Sequence, residues 1–224
     1  MVALRDLVPR TTPVFTHRLH AAPQPENLLI QANGYLSIGD FGFAAPFSEC
    51  RKKGPCGTLI YQAPELLNKQ PHGAPVDWWA LGCLLFEMVT SASPFACDDD
   101  DATEAAILGH VAGASLVAAA ERRTAAAADA ASDDAAPATS PSAPSAQLTA
   151  LCHGLLEPDQ SRRLGHAEMG GVTSIKSHGW FDGFDWEACG AMTAPAPHTP
   201  PPLDPNDVDG SLLELSRRCQ QGFG

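Results

Sequence analysis

Tyrosine is scarce in this chain, two among 224 residues, and basic side chains are outnumbered, 14 Lys and Arg against 26 Asp and Glu. A net charge of −12 supplies no cationic field for nucleic acid or an anionic membrane, which argues against both as partners and suits basic peptides. The seven cysteines form no C-x-x-C pair and have no even spacing, so reduced thiols and a cytoplasmic location are expected. No apolar run reaches about 18 residues, and the first residues carry no basic segment followed by an apolar one. Neither a transmembrane helix nor a signal peptide is expected.

What the sequence does contain is organised around residues 25–44. Leu28-Leu29-Ile30 and Tyr35-Leu36-Ser37-Ile38 flank a polar turn, Gln31-Ala32-Asn33-Gly34, and Asn-Gly between apolar runs signals a β-hairpin. Closing it returns Asn27 and Asp40 to the same end. An amide oxygen and a carboxylate meeting there suit a hard divalent cation such as Mg²⁺, which keeps most of its waters and takes few protein ligands. The alternative for this stretch is a plain hairpin with a solvated aspartate.

A second apolar segment, Val76 to Thr90, carries Trp78, Trp79, Leu81, Leu84, Leu85, Phe86, Met88 and Val89 around its circumference. That pattern predicts a central helix buried on most sides. Asp77 in its first turn can accept backbone N–H groups, and Ser93-Pro94-Phe95 is expected to end it. A further helix is expected over Thr103–Ala120 and an apolar one over Leu148–Leu156. Between them, Thr124 to Gln147 has too little apolar bulk to order itself.

Pro25-Glu26-Asn27, Asp40-Phe41-Gly42, Ala63-Pro64-Glu65 and Asp77-Trp78-Trp79-Ala80-Leu81-Gly82, in this order, resemble the large lobe of eukaryotic protein kinases. Cys56-Gly57-Thr58 and the Asp-Trp-Trp run look like the cyclic-nucleotide-regulated branch of the AGC Ser/Thr kinases. Trp180-Phe181-Asp182-Gly183-Phe184-Asp185-Trp186 is similar to the end of the domain in cGMP-dependent kinases. The resemblance implies a mainly α fold, a protein-kinase-like large lobe with a small β-hairpin at the metal site and the small lobe missing. It implies ATP and Mg²⁺ as cofactors, with Asn27 and Asp40 holding the metal and Asp6 accepting the substrate hydroxyl proton. Glu26 and Glu87 match carboxylates that receive arginines of basic substrates. Asp77, Glu65, Arg163 and Thr58 match structural residues, Asp77 anchoring the catalytic loop and Glu65 paired with Arg163.

The chain departs from that pattern in several places. Arg5-Asp6-Leu7 looks like the start of a kinase catalytic loop, yet Asn27, the metal ligand the resemblance implies, comes far later than the five or so residues it expects; counting back five from Asn27 reaches Ala22. Residues 9–24 read as foreign sequence, as a retained intron would produce. Gly54 stands where the resemblance places a phosphorylatable threonine, and Leu59-Ile60 replaces Pro-Glu. The 224 residues contain no G-x-G-x-x-G. The expected organisation is a disrupted loop over 1–25, large-lobe sequence over 26–97, an acidic and Ala/Ser/Pro-rich insert over 98–147, returning large-lobe sequence over 148–187, and an AGC-like tail over 188–224. The expected function is Ser/Thr phosphoryl transfer to basic substrates from a truncated large lobe, the 224 residues alone being inactive. The alternative is a non-catalytic, pseudokinase-like binding module or a fragment without function.

Overall fold

A computed structural model describes residues 18–19, 24–39, 45–46, 58–91, 93–111, 145–196 and 199–200. The described residues are helix-rich, with two small antiparallel pairs of strands. Strands β1 (Arg18–Leu19) and β4 (Ala45–Pro46) form one pair; β2 (Leu28–Ile30) and β3 (Leu36–Ile38) form the other. Six helices lie among the described residues: α1 Pro64–Leu67, α2 Pro75–Thr90, α3 Asp100–Leu108, α4 Ala146–Leu155, α5 Gly171–Lys176 and α6 Trp186–Ala191.

Helix α2 is the axis. Pro75 at its first position has no N–H to leave unpaired and a φ already suited to a helix. Trp79, Ala80, Cys83 and Phe86 then turn into one apolar cluster, beside Tyr61, Phe95 and Ile107. Trp78, Leu81 and Leu84 turn into a second, with Leu151, Leu155, Ile175 and Phe181. Helical spacing splits neighbouring residues between two walls, so α2 is buried from Pro75 to Leu84. Met88, expected among its buried residues, is 57% exposed. The helix stops at Thr90, before Ser93-Pro94-Phe95, because Ser91 takes a left-handed φ of 58° and bonds back to the Glu87 carbonyl.

Helix α4 crosses α2 at Gly82, where an added Cβ would stand 2.8 Å from Leu156 Cγ. The side chains of Leu155 and Leu156 fill the space a Cβ would need, so the packing there requires glycine. Ser145 caps α4 by accepting from the Leu148 amide at 3.2 Å. Asp99 does the same for α3, accepting from Ala102 at 2.7 Å. That cap sets the start of α3 three residues ahead of the expected Thr103, and the helix gives way to a turn at Gly109. Residues 98–111 are therefore continuous with the core: Thr103 and Ile107 are buried, and His110 lies edge-on to both Trp79 and Phe95. The remainder of the expected helix, the acidic insert beyond residue 111 and the tail beyond residue 200 lie outside the described residues.

Candidate functional site

Between β2 and β3 the register pairs Leu28 with Ile38, Leu29 with Ser37 and Ile30 with Leu36. Gln31 N donates to Tyr35 O at 2.7 Å, and Gly34 N to Gln31 O at 2.8 Å. The loop thus contains three residues, Ala32 to Gly34, with Gly34 at φ 79°. A three-residue hairpin loop needs a left-handed final residue, which glycine supplies without a steric cost. Asn33 contributes differently, its Oδ1 accepting from the Tyr35 amide at 3.1 Å.

The other end of the hairpin carries the metal candidate. Asn27 closes a single 3₁₀ turn, Pro25–Asn27, and its carbonyl accepts from Gly39 N at 2.7 Å. That bond ties the residue before β2 to the residue after β3. Asp40 follows Gly39 in sequence but lies outside the described residues, as does Asp6. Among the described residues no group of three or more His, Cys, Asp or Glu could hold a metal. The donor set expected from the sequence, an amide oxygen at Asn27 with a carboxylate at Asp40, has only Asn27 among the described residues.

Around Tyr61 two of the expected substrate carboxylates come into play. Tyr61 lies in the 3₁₀ turn Leu59–Tyr61, buried to 3% exposure, and its hydroxyl donates to Glu87 Oε2 at 2.5 Å. Burial pushes the phenol's pKa strongly upward, followed by the bond to Glu87, that group's charge and the charge of Glu26. The phenol therefore stays protonated and keeps donating. Glu87, in the last turn of α2, makes the direct bond, and Glu26, exposed in the turn that ends at Asn27, adds only its charge to the upward push. Sequence reasoning named both carboxylates and missed Tyr61, since a lone tyrosine in a short turn has no periodicity to reveal it.

The structural residues separate into two kinds. Thr58 is exposed and makes no side-chain cap to the turn it precedes, and Asp77 is buried in the first turn of α2. The catalytic loop that Asp77 was expected to anchor lies outside the described residues. Glu65 and Arg163, by contrast, meet as a bidentate pair, Nη1–Oε1 2.6 Å and Nη2–Oε2 2.9 Å, both buried. A guanidinium has five N–H donors, and the other three also have acceptors here: Pro75 O at 2.8 Å, Pro158 O at 3.3 Å and Glu157 O at 2.9 Å. Its plane lies against Trp79, with Cζ 5.1 Å from the ring centroid. Complete donor satisfaction is what makes a buried charge tolerable.

Comparison with known proteins places these features in context. The protein kinase domain profile matches residues 19–181. Over 196 residues the chain is 34% identical to mouse ribosomal protein S6 kinase alpha-4, covering 86% of this chain and 22% of that protein. It is 32% identical over 184 residues to the cAMP-dependent protein kinase catalytic subunit 2 of Drosophila melanogaster, covering 82% of this chain and 45% of that one. The cGMP-dependent protein kinase isozyme 1 of the same fly is 33% identical over 186 residues, 83% of this chain and 21% of its own length. The chain spans less than half the length of each of these relatives.

Proposed function

The chain belongs to the protein kinase family, on its AGC Ser/Thr branch, and from that premise we propose that its residues form the peptide-binding and metal-holding part of a cyclic-nucleotide-dependent-like kinase for basic substrates. The observation that carries this reading is the hydrogen bond from the buried Tyr61 hydroxyl to Glu87, with the charge of Glu26 also contributing to the raised pKa of that phenol. Guanidinium groups favour carboxylates that can accept two parallel N–H bonds, and such bonds are about twice as strong as neutral ones. By donating to one oxygen of Glu87, Tyr61 fixes the plane in which that carboxylate meets an arginine. Asn27 follows Glu26 directly and immediately precedes β2, so a substrate held by Glu26 lies beside the proposed metal ligand.

In this reading Asn27 and Asp40 hold Mg²⁺, and Asp6 accepts the proton of the substrate hydroxyl. Mg²⁺ bound with ATP supplies neutralisation of the charge that builds on the β- and γ-phosphate oxygens. The setting is the cytosol, where the seven cysteines stay reduced. The test is titration of the 224-residue chain with an Arg-Arg-x-Ser peptide. Glu26→Gln and Glu87→Gln should each weaken binding about tenfold or more, since each removes a charge-assisted hydrogen bond. Equal binding by the double variant would overturn the proposal.

A second reading, a large-lobe surface that docks basic peptides without phosphorylating them, draws support from Gly54, from Ala22 and from the residues inserted between Asp6 and Asn27. Phosphoryl transfer rests on positioning, and a misplacement of about 1 Å can cost about a hundredfold. The 224 residues assayed alone with labelled ATP should therefore transfer no more phosphate than their Asp40→Ala variant. Transfer well above that control would exclude the docking-only reading.

A further inference from the structure

The hairpin that carries Asn27 is short, three residues per strand, with Leu29 59% and Ile30 57% exposed. Isolated two-stranded hairpins of this size are marginal in water. Its base is held: Ile38 is buried, Leu28 packs on the second apolar cluster, and Gly39 N bonds to Asn27 O. Its far end has a different anchor. The hydroxyl of Tyr35, directly after the loop glycine, donates to the carbonyl of Ala194, 159 residues along the chain.

Ala194 is brought there by a built turn. Helix α6 starts at Trp186, whose ring lies tilted against Phe181 and edge-on to Phe184 and donates through Nε1 to Lys176 O at 3.1 Å. The helix is closed by Met192 at a left-handed φ of 59°. Four donors converge on the Ala188 carbonyl: Met192 N, Thr193 N at 2.9 Å, Thr193 Oγ1 at 3.2 Å and Ala194 N at 3.3 Å. Leu28 and Trp186 pack against the same apolar cluster. Hairpin base, cluster, α6, Ala194 and Tyr35 consequently form one closed frame, with the hairpin as one side.

We propose that residues 186–194 act as a strap on the metal-bearing hairpin, with Tyr35 as a positioning residue that holds Asn27 ready for the cation. This rests on the metal-holding reading of Asn27. A side pinned at both ends cannot swing about its base, so the orientation of the Asn27 oxygen is set before a cation arrives. With the far end released, that orientation must be fixed on binding and affinity falls.

The experiment compares the full chain with Tyr35→Phe, which keeps the ring and removes the donor, and with Thr193→Pro, which removes an N–H from the tail turn. Hydrogen exchange of the residue 28–38 amides should quicken about fivefold in both, as expected when local opening loses one hydrogen bond. Mn²⁺ alone, followed by water-proton relaxation, should bind the variants up to about tenfold more weakly than the parent. The thermal midpoint should stay unchanged, which separates positioning from general destabilisation. Unchanged exchange in Tyr35→Phe would overturn the strap. Faster exchange with Mn²⁺ affinity equal to the parent's would overturn the positioning role. Failure of the parent chain to bind Mn²⁺ would instead overturn the metal reading, and the positioning role with it.

Discussion

Arg163 and Asn27 occupy the two extremes of this molecule. Around Arg163 every donor has an acceptor, the carboxylate partner is buried with it, and the wall of α2 closes over both. Around Asn27 the strands are three residues long, Leu29 and Ile30 are more than half exposed, and Tyr35 ties the far end of the hairpin to Ala194. One region stores stability and the other spends little on it. Local stability varies across a fold in this way, and segments that bind ligands are drawn from the less stable end. A change near Arg163 should therefore be felt by the whole fold, and a change in the hairpin mainly by the hairpin.

The largest effect expected under that contrast is Glu65→Ala. It leaves a fully buried guanidinium without its carboxylate, and breaking such a pair costs about 3–5 kcal/mol. Urea unfolding followed by tryptophan fluorescence reads it directly, since Trp79 lies against Arg163. A loss under about 1 kcal/mol would place the pair among surface bridges, where the median is that small, and would dissolve the contrast. Gly165→Ala follows. Gly165 sits at φ 93°, and an added Cβ would meet Trp78 Cδ1 at 2.6 Å and Ile175 Cδ1 at 2.7 Å. Strain and overpacking together should cost about 2–3 kcal/mol and lower the melting temperature accordingly.

The sequence exposed the well-packed region more fully than the hairpin's surroundings, and the reason is physical. The burial of α2 follows from apolar residues recurring around a helix, a signal contained within fifteen residues. The Glu65–Arg163 pair was legible because both residues sit in motifs with fixed neighbours. What stayed hidden depends on contacts between distant, aperiodic positions. Tyr61 meets Glu87 across 26 residues, and Tyr35 meets Ala194 across 159. No local pattern encodes either. The acidic run at Asp98–Asp101 was read as a change of composition, whereas Asp99 in it is the cap that starts a helix belonging to the core. Asn33-Gly34 correctly signalled a hairpin, but its loop is three residues long and Gly34 alone takes the left-handed position.

Gly34→Ala tests the contrast from the other side. A non-glycine residue in the left-handed region costs about 1–2 kcal/mol. Because the hairpin is a small unit, most of that cost should appear as faster exchange of its own amides rather than as a lower melting temperature. A fall in melting temperature as large as that of Gly165→Ala would show that hairpin and core unfold together, and the two regions would count as one.

The smallest expected signal is a pH dependence, and it belongs to the core. His110 is buried with its Nε2 3.1 Å from Leu156 O, and its ring lies edge-on to Trp79 and Phe95. Burial lowers its pKa from 6.5, with the backbone bond opposing, His153 adding to the fall and Glu157 opposing it. His153 is itself lowered by burial. When a folded-state pKa lies below the unfolded one, the unfolded chain binds more protons in the window between them. Stability should then be full above about pH 6.5 and decline as pH falls below it, until the folded-state histidines also protonate. His110→Gln keeps an N–H able to reach Leu156 O and removes the titration. Urea midpoints at pH 7.5 and 5.5 should therefore differ less in that variant than in the parent. The aromatic pair that holds His110 belongs to the wall behind Arg163, so the slope should appear in global unfolding and leave hairpin exchange untouched. A slope seen only in the hairpin amides would mean that the proton acts on the less stable region, contrary to the placement of His110 in the core.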